Sequence, residues 1–352
     1  MVLVLALGAM LWGMGALMKA PRRARWVMIG LLYIAVLGLH VGLSDGHPLR
    51  MATGESEAFW LILGGFFALV LAYRAVLRRL RGRVASEEAG ATLLQVGPFS
   101  DPELNRYARH IALREVGGVG QKALKDARVL VVGAGGLGAP VLQYLAAAGV
   151  GTIGVIDDDL VENANLQRQV IHRDADIGVP KVFSAKAAIE AQNPFITVRP
   201  YHRRLTKDIA FELLADYDLV LDGTDNFDTR YLVNAAAVAL GVPLISGALT
   251  QWEGQISVFD PAQGGPCYQC VFPQAPAPAL APNCAEAGVI GPLPGVVGSM
   301  MAVEAIKLLT GAGTPLRGEM VIYDALYGES RKIRLARRED CVTCGQASVA
   351  AG

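Results

Sequence analysis

Four of the five cysteines form two C-x-x-C pairs, Cys267/Cys270 and Cys341/Cys344. Four thiolates complete a tetrahedral zinc site and leave no position open for catalysis, so the expected role is structural. Zinc would tie the C-terminal tail to the segment that follows the sheet. The redox reading of C-x-x-C lacks a thioredoxin-like context here. Cys284, in PNCAEAGV, either packs as a small hydrophobe or acts as a nucleophile. A second chemistry begins at Gly133-x-Gly135-x-x-Gly138, where backbone amides and a helix N-terminus can receive phosphate. Asp157, 19 residues past Gly138, can accept from ribose hydroxyls. That pair suits NAD as well as ATP. Asn165-Leu166-Gln167-Arg168-Gln169, Lys181 and Gly223-Thr224-Asp225-Asn226 separate the two. An Arg, a Lys and an Asp around one nucleotide suit phosphoryl or nucleotidyl transfer, in which cations neutralise phosphate and a carboxylate holds magnesium. Hydride transfer needs no such set.

These residues need strand ends to hold them. Residues 128–132 (RVLVV) read as a strand buried on both faces, followed by the glycine-rich turn and a helix through Ala148. TIGVID ends a second strand at Asp157, and 217–223 (YDLVLDG) forms another, ending beside Asp225. Helices are expected over 181–192, 209–216, from Thr229 and over 294–309; strands at ITVRPYH, PLISG, EMVIYDAL and RKIRLARR. Alternating strands and helices predict an α/β fold, a doubly wound, Rossmann-like, mostly parallel sheet with a C-terminal β extension carrying the zinc site. Residues 274–282 (QAPAPALAP) are a loop, because prolines remove ladder donors.

The 352 residues carry 32 basic and 32 acidic side chains, with a mean hydropathy of +0.37. Residues 1–97 hold ten basic and five acidic groups. The remainder is slightly acidic, which disfavours a nucleic-acid partner. Five cysteines exclude a disulfide scaffold. The apolar excess lies in three runs, about 2–18, 26–44 and 58–77, read as transmembrane helices within an anchor over 1–83. A cleaved signal peptide would need a basic start, and Met1 to Leu5 offer none. Residues 84–98 are expected as a linker and 99–352 as the catalytic domain. Lys19, Arg22, Arg23 and Arg25 in the first connection, and Arg74, Arg78, Arg79, Arg81 and Arg83 after the third run, orient the anchor. The positive-inside rule puts the N-terminus outside and the domain in the cytoplasm, as in a multi-pass protein of the cell (inner) membrane. His40, Asp45 and His47 are expected in a solvated loop and span end.

From about residue 100 to 345 the chain resembles the MoeB/ThiF/HesA group of ubiquitin-activating-type adenylyltransferases, closest to the MoeB side. The resemblance rests on RYARHIALREVGGVGQKALKDARVLVVGAGGLGAPVLQYLAAAGVG, NLQRQVIH, GVPK, LDGTDNFDTRYLVN, EGQISVFD, PCYQCVFP, PNCAEAGVIGPLPGVVGS, AVEAIKLLTG and CVTCG, in that order. It implies ATP-dependent adenylation of the C-terminal Gly-Gly of a small ubiquitin-like sulfur carrier. The expected pathway is molybdopterin synthesis, with a cysteine desulfurase or rhodanese as separate sulfur donor. Gly136 then matches a glycine touching ATP and Asp157 the ribose ligand. Asn165, Arg168 and Lys181 match phosphate and adenosine contacts. Asp225 matches the magnesium carboxylate, with Asn226 beside it. Gly133, Gly135, Gly138, Ala164, Leu166 and Gln167 complete the expected nucleotide set. Arg109 matches an arginine that reaches the phosphates from a partner subunit, which implies a homodimer. Cys284 matches a cysteine that takes the carrier as a thioester or acyl-disulfide in eukaryotic relatives with a fused rhodanese domain. MoeB-type members adenylate without it. Ala164 stands where Ser usually precedes NLQRQ, and Met301 where Gln is common. The alternatives are a thiazole-forming role of the ThiF kind and a membrane scaffold that binds nucleotide without turnover.

Overall fold

The computed structural model describes residues 2–44, 46–54, 56–91, 97–276 and 288–345. It separates into Met1–Val96 and Gly97–Gly352. Cys284 lies outside the described residues.

The first unit is helical: α1 (Val2–Leu17), α2 (Arg22–Gly42), α3 (Pro48–Thr53) and α4 (Glu57–Ala91). Arg22–Gly42 and Ala58–Leu77 are long and apolar enough to cross a membrane, with mean hydropathies of 1.8 and 2.0 and little of either buried by the chain itself. The 16 residues of α1 extend about 24 Å, short of a hydrocarbon core of about 30 Å. Two expectations change. The linker expected from residue 84 is still helix to Ala91, because Ala, Glu and Arg are strong helix formers and no proline stops them. His40 is not solvated: it is 1% exposed, with Nε2 3.1 Å from Thr53 Oγ1. The short helix α3, started by Pro48, folds Thr53 back onto it.

In the second unit, α5 (Asp101–Ile111) and α6 (Gly117–Asp126) precede β1 (Arg128–Val132). There follow α7 (Gly138–Ala148), β2 (Thr152–Ile156), α8 (Lys181–Gln192), β3 (Thr197–Tyr201), α9 (Lys207–Ala215) and β4 (Leu219–Asp222). The chain continues through α10 (Phe227–Leu240), β5 (Leu244–Leu249), β6 (Glu253–Phe259), α11 (Tyr268–Val271), α12 (Pro292–Thr310), β7 (Glu319–Asp324) and β8 (Glu329–Arg334). One sheet holds all eight strands in the order β3-β2-β1-β4-β5-β6-β7-β8. The first five are parallel and the last three antiparallel.

Strand β1 shows why RVLVV reads as it does. Val129 and Val131 enter a core closed by α7, α8 and α12, while Leu130 and Val132 enter the opposite core with α9 and α10. Both faces are covered, so no polar residue interrupts the run. Helix α12 has the length and mean hydropathy of a span, yet Leu293, Val297, Met301 and Ala305 are buried in this core. Strand β6 is an addition to the expected elements. From β1 the chain builds outward through β2 and β3, then returns to add β4 on the other side. That reversal opens a crevice at the carboxyl ends of β1 and β4.

Candidate functional site

Residues following β1, β2 and β4 line a cleft of about 1090 Å³. Ligand pockets run to roughly 1,000 Å³ at their largest, so a nucleotide leaves room for a second group. Gly133, Gly135 and Gly136 line it below α7. Gly133 has φ +94°, a conformation costly with a side chain. Gly138 does not line the cleft. A Cβ there would lie 1.9 Å from the Gly133 carbonyl oxygen, so this glycine serves the close strand–helix turn rather than the ligand.

Asp157 stands one residue beyond β2, where the expected strand end moves to Ile156. Its Oδ2 accepts from the Ala134 amide at 2.7 Å and its Oδ1 from the Asp159 amide at 2.8 Å. Burial raises its pKa, against the opposing pull of Lys181 and the two amides. Lys181, buried at the start of α8, reaches Asp159 at 2.6 Å. The exposed Asp159 carboxylate holds the ammonium where an incoming phosphate would compete for it.

Arg168 lines the cleft, steadied by Nη2 to Asn165 Oδ1 at 2.8 Å and Nη1 to the Ala164 carbonyl at 3.3 Å. Ala164, Asn165, Leu166 and Gln167 are not lining residues. Asn165 acts on the cleft through Arg168, and Gln167 packs against Gly291. Gln169 does line it, buried, and its Oε1 has no partner among the described residues.

Beyond β4, Asp225 and Asn226 reach the same cleft. Asn226 Oδ1 caps α10 by accepting from the Thr229 amide at 2.9 Å. Asp225 is exposed, and a carboxylate on an open lip is the donor chemistry a magnesium ion takes. Behind it lies a pair that the sequence reading missed. Asp222 is wholly buried and accepts from Thr224 Oγ1 at 2.7 Å and Ser246 Oγ at 3.3 Å. Arg230 reaches over from α10 to the carbonyls of Thr224 and Gly247 and lies 3.9 Å from Asp222. This network fixes the turn that presents Asp225. Arg203 and Arg204, after β3, also line the cleft unanticipated. A pair of arginines at a strand's carboxyl end was the available signal. Arg109, on α5, does not line this chain's cleft.

Tyr268 and Phe272, which line the cleft, are interleaved with the cysteines. Sulfur separations are 3.9 Å for Cys267–Cys270, 3.6 Å for Cys267–Cys341 and 3.3 Å for Cys270–Cys344. A tetrahedron of sulfurs about 2.3 Å from zinc has edges of about 3.8 Å, so the spacing fits the ion. All four are buried. Burial raises Cys267 and takes Cys344 to about 11, whereas Cys341 falls to about 7 as amides of Cys344 and Thr343 outweigh its burial. Along α11 and its two caps, Cys267 and Cys270 alternate with Tyr268 and Phe272. The Tyr268 amide donates to Asn234 Oδ1 at 2.8 Å, and Tyr231 Oη donates to the Phe272 carbonyl at 2.8 Å.

Residues 107–343 match the ThiF family. The sulfur carrier protein adenylyltransferase of Thermus thermophilus is 53% identical over 251 residues, covering 70% of this chain and 93% of that protein. The molybdopterin-synthase adenylyltransferase of Salmonella typhimurium is 49% identical over 248 residues, covering 70% of this chain and 99% of that one. Among solved structures, E. coli MccB with ATP superposes with a TM-score of 0.60 at 25% identity, covering 68% of this chain and 74% of that chain.

Proposed function

Since the chain belongs to the ThiF family, we propose that it is an adenylyltransferase that activates the C-terminal glycine of a ubiquitin-like sulfur carrier with ATP. The observation that carries this reading is the convergence of Gly135, Gly136, Asp157, Arg168, Lys181 and Asp225 on one cleft. A carrier carboxylate oxygen attacks the α-phosphorus. The bond from that phosphorus to the β-phosphate bridging oxygen breaks, giving carrier adenylate and pyrophosphate. Asp157 accepts from the ribose, while Arg168 and Lys181 neutralise phosphate charge as it shifts onto pyrophosphate. Asp225 would hold magnesium, which supplies charge neutralisation at the leaving group. No enzyme nucleophile is needed, because positioning and electrostatics lower the barrier. Cys284 would matter only in later sulfur transfer.

The finer reading assigns the carrier to molybdopterin synthesis, as the name of the Salmonella relative suggests. The cysteines would hold one structural zinc, Arg109 would enter a partner subunit's cleft in a homodimer, and a separate donor would supply sulfur. The helices of residues 1–91 would anchor the enzyme in the inner membrane with its N-terminus outside. The decisive measurement is carrier-dependent ATP–pyrophosphate exchange with molybdopterin-type and thiazole-type carriers side by side. Exchange with the first supports the finer reading, exchange with the second alone replaces it, and exchange with neither removes the adenylation reading.

A further inference from the structure

His172 takes no part in the reaction described above, yet it is 6% exposed and fully engaged. Its Nε2 lies 2.9 Å from the Ala134 carbonyl oxygen, and its Nδ1 lies 2.9 Å from Ser184 Oγ on α8. Ser184 in turn donates to Asp176 Oδ2 at 2.7 Å. Ala134 is the second residue of the glycine loop and is itself wholly buried. Its amide goes to Asp157 and its carbonyl to His172, so the two peptide units that flank Ala134 are each held by a side chain.

Proton counting fixes the direction of the bonds. A carbonyl and a carboxylate only accept, so Nε2 must carry a proton toward Ala134. If the ring is charged, Nδ1 donates to Ser184 and Ser184 to Asp176. If it is neutral, the hydroxyl turns to donate to Nδ1 and gives up its bond to Asp176. The bond to Ala134 survives in both states. Burial favours the neutral ring, and Lys181 adds to that; Asp157, Asp176 and the Ala134 carbonyl pull the other way.

We propose that His172 is a positioning residue for the nucleotide: it turns the Ala134 carbonyl away from the cleft, so that the loop at Gly135 and Gly136 meets phosphate with amides only. Without that bond the carbonyl is free to swing toward the phosphates, where its negative end opposes theirs. The proposal rests on the nucleotide reading of the cleft.

The test is binding of ATP with magnesium, by calorimetry, to the full chain in detergent micelles. His172→Gln carries an amide donor to about the place of Nε2, whereas His172→Phe keeps a ring and donates nothing. Affinity is expected within about threefold of wild type for the glutamine variant and about tenfold weaker for phenylalanine, one hydrogen bond being worth about that factor. A loss in both variants that follows their melting temperatures marks a merely structural residue and overturns the proposal. So does a folded phenylalanine variant with wild-type affinity. Should that variant not fold, Ser184→Ala decides, with a weakening of about threefold expected and unchanged affinity overturning the role. A wild type that binds no ATP removes the nucleotide reading itself.

Discussion

Asp225 and His172 mark two extremes of environment around one cleft, an exposed carboxylate and a buried ring, and their substitutions should behave accordingly. Asp225→Asn removes charge and almost no volume, so melting should stay within a few degrees of wild type while pyrophosphate exchange falls about a hundredfold or more. Exchange within a few-fold of wild type would remove the magnesium role. His172 has its pKa lowered by burial. Below about pH 6.5 the unfolded chain gains a proton on this ring that the folded chain resists, so stability is lost as pH falls. Asp157 has the opposite sign: its raised folded pKa means stability is gained as pH falls through that value. Melting measured from pH 7.5 to 5.5 should therefore decline less steeply in His172→Gln than in wild type, and equal slopes would count against the burial argument. The sequence exposed Asp157, Lys181 and Asp225 because each follows a strand or opens a helix, and Arg168 because it stands in the run Asn165-Leu166-Gln167-Arg168-Gln169. It hid Asp222, which reads as the end of an apolar run, because only tertiary folding brings Arg230 over it. Gly138 misled for a related reason, since ligand approach and backbone approach select the same residue.

At the scale of elements, the parallel strands were readable wherever both faces are buried, as in RVLVV. Strand β6 was not, since Gly254, Gln255 and Ser257 interrupt its apolar residues, and although β5 is its hairpin neighbour, its other partner β7 comes from a distant part of the chain. Helix α6 begins with Gly117 and Gly118, which suppress the helical signal. The cysteine pairs were readable by spacing alone, but not that α11 presents Tyr268 and Phe272 to the cleft between them. That arrangement sets a prediction. Metal analysis should find one zinc per chain, and Cys341→Ser should lose it and lower the melting temperature, because a structural zinc contributes folding energy. KM for the carrier should rise several-fold more than the dissociation constant of ATP, as the altered wall holds Tyr268 and Phe272 and none of the glycine loop. Equal changes in both would mean that the cysteines support the whole cleft.

For the molecule as a whole, the described cleft residues all lie beyond residue 130, whereas the exposed apolar helices belong to residues 1–91. Removing residues 1–96 should yield a soluble protein that binds ATP within about twofold of the full chain. Aggregation, or a folded protein that binds no ATP, would show that the helices do more than anchor. A reporter fused to the C-terminus of the full chain should read as cytoplasmic if the basic flanks orient it; an external reporter would reverse the topology.

The sulfur cluster also has a consequence for how the enzyme is made. Cys267 and Cys341 are 74 residues apart, so Cys341 and Cys344, which pack against the cysteines of α11, leave the ribosome well after it does. The apolar helices and the glycine loop are synthesised first, and the aromatic wall is set only when the tail emerges. An incomplete chain thus has its glycine loop before it has a finished aromatic wall. A chain stopped at residue 338 should still bind ATP but be cut readily by protease near Tyr268, whereas the full zinc-loaded chain resists. Equal resistance would mean that the wall forms without its last two cysteines, and that completion of the tail sets no order on maturation.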